Sequence, residues 1–163
     1  MVIVLDNVRS ALNVGSIFRT ADTFLIEAVY LCGITAQPPH REILKTALGA
    51  TQNVRWKYFK DCEEAIAELR TTGYKIICAE QTAHSEKLHE FMPNRNEKHA
   101  VIFGNEISGI DQRIINLTDV CIEIPQHGLK HSLNIAVCAG IVIWDLFVKL
   151  NYEIHPAMDN NNS

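Results

Sequence analysis

Short apolar runs alternate along this chain with stretches in which apolar residues recur at helical spacing. Residues 2–5 are apolar throughout and predict a buried strand. A helix should follow, with Asn13 as its N-cap, because apolar positions between residues 14 and 25 recur every three or four residues. Residues 28–32 predict a second strand. The chain therefore opens with a strand–helix–strand unit.

The same alternation continues to residue 150. The further strands that it predicts are 54–58, 75–79, 99–103 and 120–124. The further helices that it predicts are 41–48, a helix between Asp61 and Gly73, a turn at 111–116 and a long helix at 133–150. Alternation of this kind indicates an α/β fold: a mostly parallel sheet with helices on both faces. We expect one domain over residues 1–152, followed by a disordered polar tail over residues 153–163.

Three polar segments that contain glycine follow predicted strands, at residues 7–15, 104–109 and 125–134. In parallel sheets, ligands bind beyond the carboxyl ends of the strands. These segments are therefore the candidates for a functional site.

The net charge is −4, which argues mildly against a protein that coats nucleic acid. The charge is uneven, however, because residues 1–60 carry an excess of basic side chains and the remainder is acidic. Local charge matters more than the total, so this asymmetry permits one basic face on an acidic protein. Chance clustering is the alternative.

The five cysteines form no CxxC pair, and most sit in apolar runs. They are typical of buried thiols in a reducing compartment. The N-terminus lacks the pattern of a signal peptide, and the apolar stretch 133–148 is shorter than a membrane span and contains Asp145. We therefore expect a cytoplasmic protein with no membrane partner. The seven histidines show no metal-binding spacing with the cysteines, so we expect no metal.

Three clusters in the chain resemble the motifs of the SpoU/TrmH family, RNA ribose 2′-O-methyltransferases of the SPOUT superfamily. The clusters are NVGSIFRTA at 13–21, IFGNEISGI at 102–110, and IPQHG at 124–128 with SLNIA at 132–136. The segment KTALGA at 45–50 is also typical of the family. The resemblance implies a C-terminal trefoil knot, S-adenosylmethionine as methyl donor with S-adenosylhomocysteine as product, and a homodimer with its active site at the subunit interface.

The resemblance also implies which residues form the site. The cofactor-binding residues that it implies are Ile102, Phe103, Gly104, Asn105, Glu106, Ile124, Gln126, Gly128, Ser132, Leu133 and Asn134. The catalytic residues that it implies are Arg19, Asn13, Glu106, Ser132 and Asn134. Arg19 either accepts the proton of the ribose 2′-hydroxyl or stays charged and stabilises the developing alkoxide.

The neighbours of Arg19 have alternative roles. Asn13 either hydrogen-bonds to Glu106 or caps its helix, and both can hold. Glu106 is expected to be a structural acceptor for Arg19 or Asn13 rather than a base. Ser132 and Asn134 either place a substrate phosphate or orient Arg19, and Ser132 can instead cap the last helix.

We expect RNA, with tRNA first, as the substrate, bound through basic residues of the core. The residues proposed for RNA contact are Arg9, Arg19, Arg41, Lys45 and Lys130. The alternatives are the same reaction on ribosomal RNA and a non-catalytic RNA-binding protein of this fold. An oxidoreductase of the ordinary doubly wound type is disfavoured, because no GxGxxG follows the first strand.

Overall fold

The computed structural model describes residues 1–128 and 132–152. Within them the strands are β1 (Val2–Asp6), β2 (Ala28–Cys32), β3 (Arg55–Phe59), β4 (Tyr74–Ala79), β5 (Glu86–Lys87), β6 (Lys98–Phe103) and β7 (Val120–Glu123). The helices are α1 (Ala11–Thr23), α2 (Arg41–Ala47), α3 (Ala50–Asn53), α4 (Cys62–Thr71), α5 (Gln112–Ile115) and α6 (Ile135–Asn151). The tail predicted at 153–163 lies outside the described residues.

The strands form one sheet in the order β3-β2-β1-β6-β4-β7-β5, and every pairing is parallel. Helices cover both faces: α1, α2, α3 and α6 pack on one face, and α4 and α5 on the other. The parallel α/β sheet that the sequence predicted is confirmed. Because all strands point the same way, their carboxyl ends share one edge, which we call the carboxyl edge.

The β1 strand shows why these strands are continuous apolar runs. Ile3 and Leu5 contribute to the core beneath α1, whereas Val2 and Val4 contribute to the core beneath α4. Successive side chains of a strand point to opposite faces, so a strand covered on both faces has no polar side.

Two helix starts differ from the prediction. Ser10, not Asn13, caps α1, because the Ser10 hydroxyl accepts the backbone N–H of Asn13. This leaves the Asn13 side chain free of the capping role in the first turn of the helix. Likewise, α6 begins at Ile135 rather than 133, and its cap is Asn134 rather than Ser132.

Two elements were not predicted. The helix expected over 41–48 ends at Ala47, because Leu48 and Gly49 both have positive φ angles of 48° and 92°. The short α3 follows this break. The two-residue strand β5 lies in the polar stretch 80–98, for which the sequence predicted no strand, and its residues Glu86 and Lys87 pair with β7.

The helices α1 and α2 cross closely at Gly15. A Cβ atom at Gly15 would lie 2.1 Å from Thr46 Oγ1 and 2.4 Å from the Ile43 carbonyl oxygen. The Thr46 hydroxyl donates to the Leu12 carbonyl oxygen at 2.9 Å. The glycine of the first motif and the middle segment 45–50 are thus parts of one helix contact, which positions α1. No helix among residues 1–128 and 132–152 is long and apolar enough to cross a membrane.

Candidate functional site

A cavity of about 420 Å³ opens at the carboxyl edge, beyond the ends of β4, β6 and β7. Cavities of this size suit small-molecule ligands. We call it the edge cavity. Its lining residues are Ala79, Glu80, Gln81, Phe103, Gly104, Asn105, Glu106, Ile107, Ser108, Gly109, Ile122, Glu123, Ile124, Gln126, Ser132, Leu133, Ile135, Cys138 and Val142.

The loop after β6, residues 104–109, forms one wall of the edge cavity. Asn105 and Gly109 exchange two backbone hydrogen bonds, of 3.0 and 2.9 Å. The Asn105 side chain accepts the N–H groups of Ile107 and Ser108, at 2.9 and 3.1 Å, and donates to the Asn7 carbonyl oxygen. A Cβ at Gly104 would lie 2.5 Å from the Gly109 carbonyl carbon, so this fold of the loop requires glycine there.

Glu106 ties this loop to the start of α1. Its carboxylate accepts the backbone N–H groups of Arg9 and Ser10, at 2.9 and 3.0 Å, and the Asn13 amide at 3.3 Å. Burial alone would raise the pKa of Glu106, but these hydrogen bonds outweigh it and lower the pKa below its usual value. Glu106 is therefore an ionised acceptor, and the hydrogen bond expected between Asn13 and Glu106 is present.

The third motif joins the same network through Asn134. The Asn134 side-chain oxygen caps α6 by accepting the N–H groups of Ala136 and Val137, at 2.9 and 3.4 Å. Its amide nitrogen donates to the Asn13 side-chain oxygen at 3.3 Å. A chain of hydrogen bonds thus runs from Asn134 through Asn13 to Glu106, and it connects all three motif segments.

The structure places most of the expected cofactor residues around the edge cavity, but not all of them. Those that line it are Phe103, Gly104, Asn105, Glu106, Ile124, Gln126, Ser132 and Leu133. Ile102 does not, because it alternates with Phe103 along β6 and packs in the core beneath α4. Asn134 is engaged in capping α6 rather than lining the cavity, and Gly128 lies outside the lining.

The end of β4 contributes residues that the sequence analysis missed, namely Ala79, Glu80 and Gln81. The predicted site segments all contain glycine after a strand, and no glycine follows β4 before the next predicted strand. The parallel sheet could have indicated these residues, because a strand that pairs in parallel with β6 must end at the same edge.

The edge cavity is acidic. Its described lining includes the carboxylates of Glu80, Glu106 and Glu123 and no Lys, Arg or His. Glu123 accepts the Ser85 hydroxyl at 2.7 Å. Negative groups of this kind favour a cationic ligand. Burial raises the pKa of the Cys138 thiol to about 11, so Cys138 is a neutral wall residue rather than a nucleophile.

Arg19 is exposed on α1 and does not line the edge cavity of its own chain. Six residues separate it from Asn13, which corresponds to about 9 Å along a helix axis. A six-residue step also turns the side chain to a different side of the helix, because 3.6 residues make one turn. The structure therefore brings Asn13, but not Arg19, to this cavity.

The other residues expected to contact RNA also lie on the surface. Arg9, Arg41 and Lys45 are exposed, as is Arg19. None of these four forms an ion pair with the part of the chain that the structure describes. Lys130 lies outside the described residues. The described residues also hold no group of three or more His, Cys, Asp or Glu side chains placed to bind a metal.

Comparison with known proteins identifies the family. The sequence model described as the SpoU rRNA Methylase family matches residues 1–144. A tRNA (guanosine(18)-2′-O)-methyltransferase of Borreliella burgdorferi is 26% identical over 147 residues, which are 90% of this chain and 66% of that protein. The 23S rRNA (guanosine(2553)-2′-O)-methyltransferase RlmP of Bacillus subtilis is 29% identical over 89% of this chain and 57% of its own length.

A solved structure agrees with these relatives. The AdoMet-bound rRNA methyltransferase from Sinorhizobium meliloti superimposes with a TM-score of 0.82 at 25% identity, covering 89% of this chain and 54% of that one. The chain thus spans less than two thirds of the length of these three proteins. Since the family model covers most of the chain, this protein belongs to the SpoU rRNA methylase family.

Proposed function

We propose that this chain transfers a methyl group from S-adenosylmethionine to a ribose 2′-hydroxyl of RNA and releases S-adenosylhomocysteine. One observation carries the proposal: the hydrogen bonds from Asn134 to Asn13 and from Asn13 to Glu106 gather all three motif segments at the rim of one cavity. Two relatives are guanosine 2′-O-methyltransferases acting on tRNA and on 23S rRNA. Such a convergence suits in-line methyl transfer, which depends on positioning.

The residues of the edge cavity fit the donor. S-adenosylmethionine, when bound, supplies an activated methyl group on a positively charged sulfur. Phe103, Ile124 and Leu133 offer an apolar wall for a flat adenine, and the backbone of loop 104–109 offers hydrogen-bonding groups for its edge. The carboxylates of the lining compensate the positive charge. No metal is needed for this chemistry.

We propose that Arg19 is the residue that interacts with the ribose 2′-hydroxyl of the substrate. The 2′-oxygen bonds to the methyl carbon as the carbon–sulfur bond of the donor breaks, and the hydroxyl proton passes to solvent, so negative charge develops on that oxygen during the transfer. A guanidinium stays protonated in proteins, so it most readily acts as a charged donor that stabilises this oxygen. The alternative is that Arg19 accepts the proton itself. Both roles require the guanidinium beside the 2′-oxygen.

We further propose a homodimer in which Arg19 serves the edge cavity of the partner subunit. The described lining supplies no cation of its own, and Arg19 lies exposed elsewhere on α1. The helix α6 packs against α1 and leaves Val137, Ile141 and Trp144 between 39% and 56% exposed. An exposed apolar row of this kind is suited to a subunit interface. The C-terminal segment is proposed to form the trefoil knot that the family resemblance implies.

For the substrate we propose tRNA first and ribosomal RNA second. The exposed cations Arg9, Arg41 and Lys45, which form no ion pair with residues 1–128 or 132–152, support a nucleic-acid contact on a protein whose net charge is −4. Of the two relatives above, one is a tRNA methyltransferase and the other is a 23S rRNA methyltransferase. A non-catalytic RNA-binding role is disfavoured by the network that joins the motifs.

The test is methyl uptake from labelled S-adenosylmethionine into total tRNA and into ribosomal RNA, followed by mapping of the modified nucleotide. We expect incorporation by the wild type and a loss of about 100-fold or more in Arg19→Ala, as for removal of a group that stabilises a transition state. Arg113→Ala is the matched control, because Arg113 is an exposed arginine paired with Glu63 and Asp111 away from the edge cavity.

Two outcomes would contradict the proposal. Absence of incorporation into either RNA, with RNA binding retained, would favour the non-catalytic role. Full activity of Arg19→Ala would remove Arg19 from the mechanism.

A further inference from the structure

Glu80 lies at the end of β4, outside all three motif segments, and yet its side chain lines the edge cavity. We propose that Glu80 is a positioning residue: its carboxylate holds loop 104–109 in the conformation that binds the methyl donor. This inference rests on the proposed function.

The contacts of Glu80 with the loop are direct. Its Oε2 atom accepts the backbone N–H of Ile110 at 3.0 Å, at the point where the loop ends. The same oxygen lies close to Gly109, because a Cβ atom added at Gly109 would be 2.6 Å from Oε2 of Glu80. Gly109 also has a φ of +68°, a conformation that favours glycine. Carboxylate and loop therefore fit each other closely.

Glu80 is itself firmly placed. Its backbone N–H donates to the Ile122 carbonyl oxygen at 3.0 Å, which continues the pairing of β4 with β7. The side chain is half-buried. The sheet thus fixes the residue from which the carboxylate reaches the loop.

Two carboxylates consequently anchor the loop, Glu106 from within it and Glu80 from the sheet. Glu106 connects it to the start of α1, and Glu80 connects its exit to the sheet. Hydrogen bonds to an ionised acceptor are worth more than neutral ones, so removing Glu80 should loosen the loop. The donor should then bind less tightly, with the network through Asn13 intact.

The test is calorimetric binding of S-adenosylhomocysteine, together with steady-state kinetics. We expect Glu80→Ala to weaken binding about tenfold, the loss of one charged hydrogen bond. Glu80→Gln keeps an oxygen that can accept the Ile110 N–H and should stay within about threefold of the wild type. The KM for S-adenosylmethionine should rise in Glu80→Ala while kcat at saturating donor is retained. Glu64→Ala, an exposed glutamate on α4, is the matched control.

A double-mutant cycle tests the contact itself. Gly109→Ala should weaken binding in the wild type, and part of that loss should disappear in the Glu80→Ala background, where the carboxylate is absent. Additive losses would overturn the inference, as would unchanged binding in Glu80→Ala or equal losses in Glu80→Ala and Glu80→Gln. If Glu80→Ala does not fold, Glu80→Gln and Gly109→Ala decide the matter: unchanged binding by Gly109→Ala would overturn it. Failure of the wild type to bind S-adenosylhomocysteine would instead refute the proposed function.

Discussion

Glu106 shows how one side chain couples the site to the stability of the protein. Its carboxylate accepts two backbone N–H groups and the Asn13 amide, and its pKa is lowered because these bonds outweigh burial. A carboxyl whose folded pKa is depressed contributes stability that is fully present above its unfolded pKa. That contribution is lost as the pH falls through the folded pKa.

We therefore predict that Glu106→Gln lowers the free energy of unfolding by about 1–2 kcal/mol at pH 7, because an amide group cannot accept all three donors. The difference from the wild type should begin to shrink below about pH 4, near the pKa of an unfolded glutamate, and it should continue to shrink as the pH falls through the lower folded pKa. Denaturant unfolding at pH 7 and at pH 3.5 measures both values. An equal loss at both pH values would contradict the linkage, and Glu64→Gln is the control.

At the scale of elements, the crossing of α1 and α2 depends on the absence of a side chain at Gly15. An added methyl group would meet Thr46 Oγ1 and the Ile43 carbonyl oxygen, and the second of these is backbone. We predict that Gly15→Ala lowers the free energy of unfolding by about 1–3 kcal/mol, despite the higher helix propensity of alanine.

Urea unfolding of Gly15→Ala provides the measurement, with Ser16→Ala as the neighbouring control on the same helix. A gain in stability for Gly15→Ala would mean that the two helices can separate at no cost. Because α1 carries both Asn13 and Arg19, we also expect this variant to lose methyl transfer along with stability.

The elements that the sequence predicted well are those whose residues face the core on both sides. Strands such as β1 consist of buried residues only, so their apolar runs are unambiguous. The start of α1 was less certain, because Ser10 and Asn13 are both good caps and only the tertiary hydrogen bonds to Glu106 and Asn134 assign Asn13 elsewhere. The role of Glu80 was not predicted, because it depends on a contact with Ile110, which lies 30 positions further along the chain.

At the scale of the whole molecule, RNA binding should reflect the uneven charge. The exposed cations Arg41 and Lys45 lie one turn apart on α2. We predict that replacing either by alanine weakens tRNA binding at low salt and reduces the slope of log K against log salt by about one.

Filter binding at several salt concentrations gives the slope for each variant. Lys57→Ala is the control, because Lys57 is already paired with Glu68. Slopes identical to the wild type in Arg41→Ala and Lys45→Ala would exclude α2 from the RNA contact.

If Arg19 of one subunit serves the edge cavity of the other, two inactive variants should complement each other in a mixed dimer. A Gly104→Ala subunit should have a defective edge cavity, because the added Cβ meets the Gly109 backbone, but it keeps Arg19. An Arg19→Ala subunit has the reverse defect. In a mixed dimer, the cavity of the second subunit receives the arginine of the first, so one complete site is restored.

Random pairing makes half of the dimers mixed, and each has one working site of two, so coexpression should restore about one quarter of wild-type methyl transfer. Each variant alone should remain inactive, while analytical ultracentrifugation verifies that both dimerise. A double variant carrying both changes in one chain, mixed with Arg19→Ala, should give no recovery, because no intact cavity then meets an intact Arg19. If the two single variants dimerise yet stay inactive together, Arg19 does not act across the interface, and the site must be completed within one subunit.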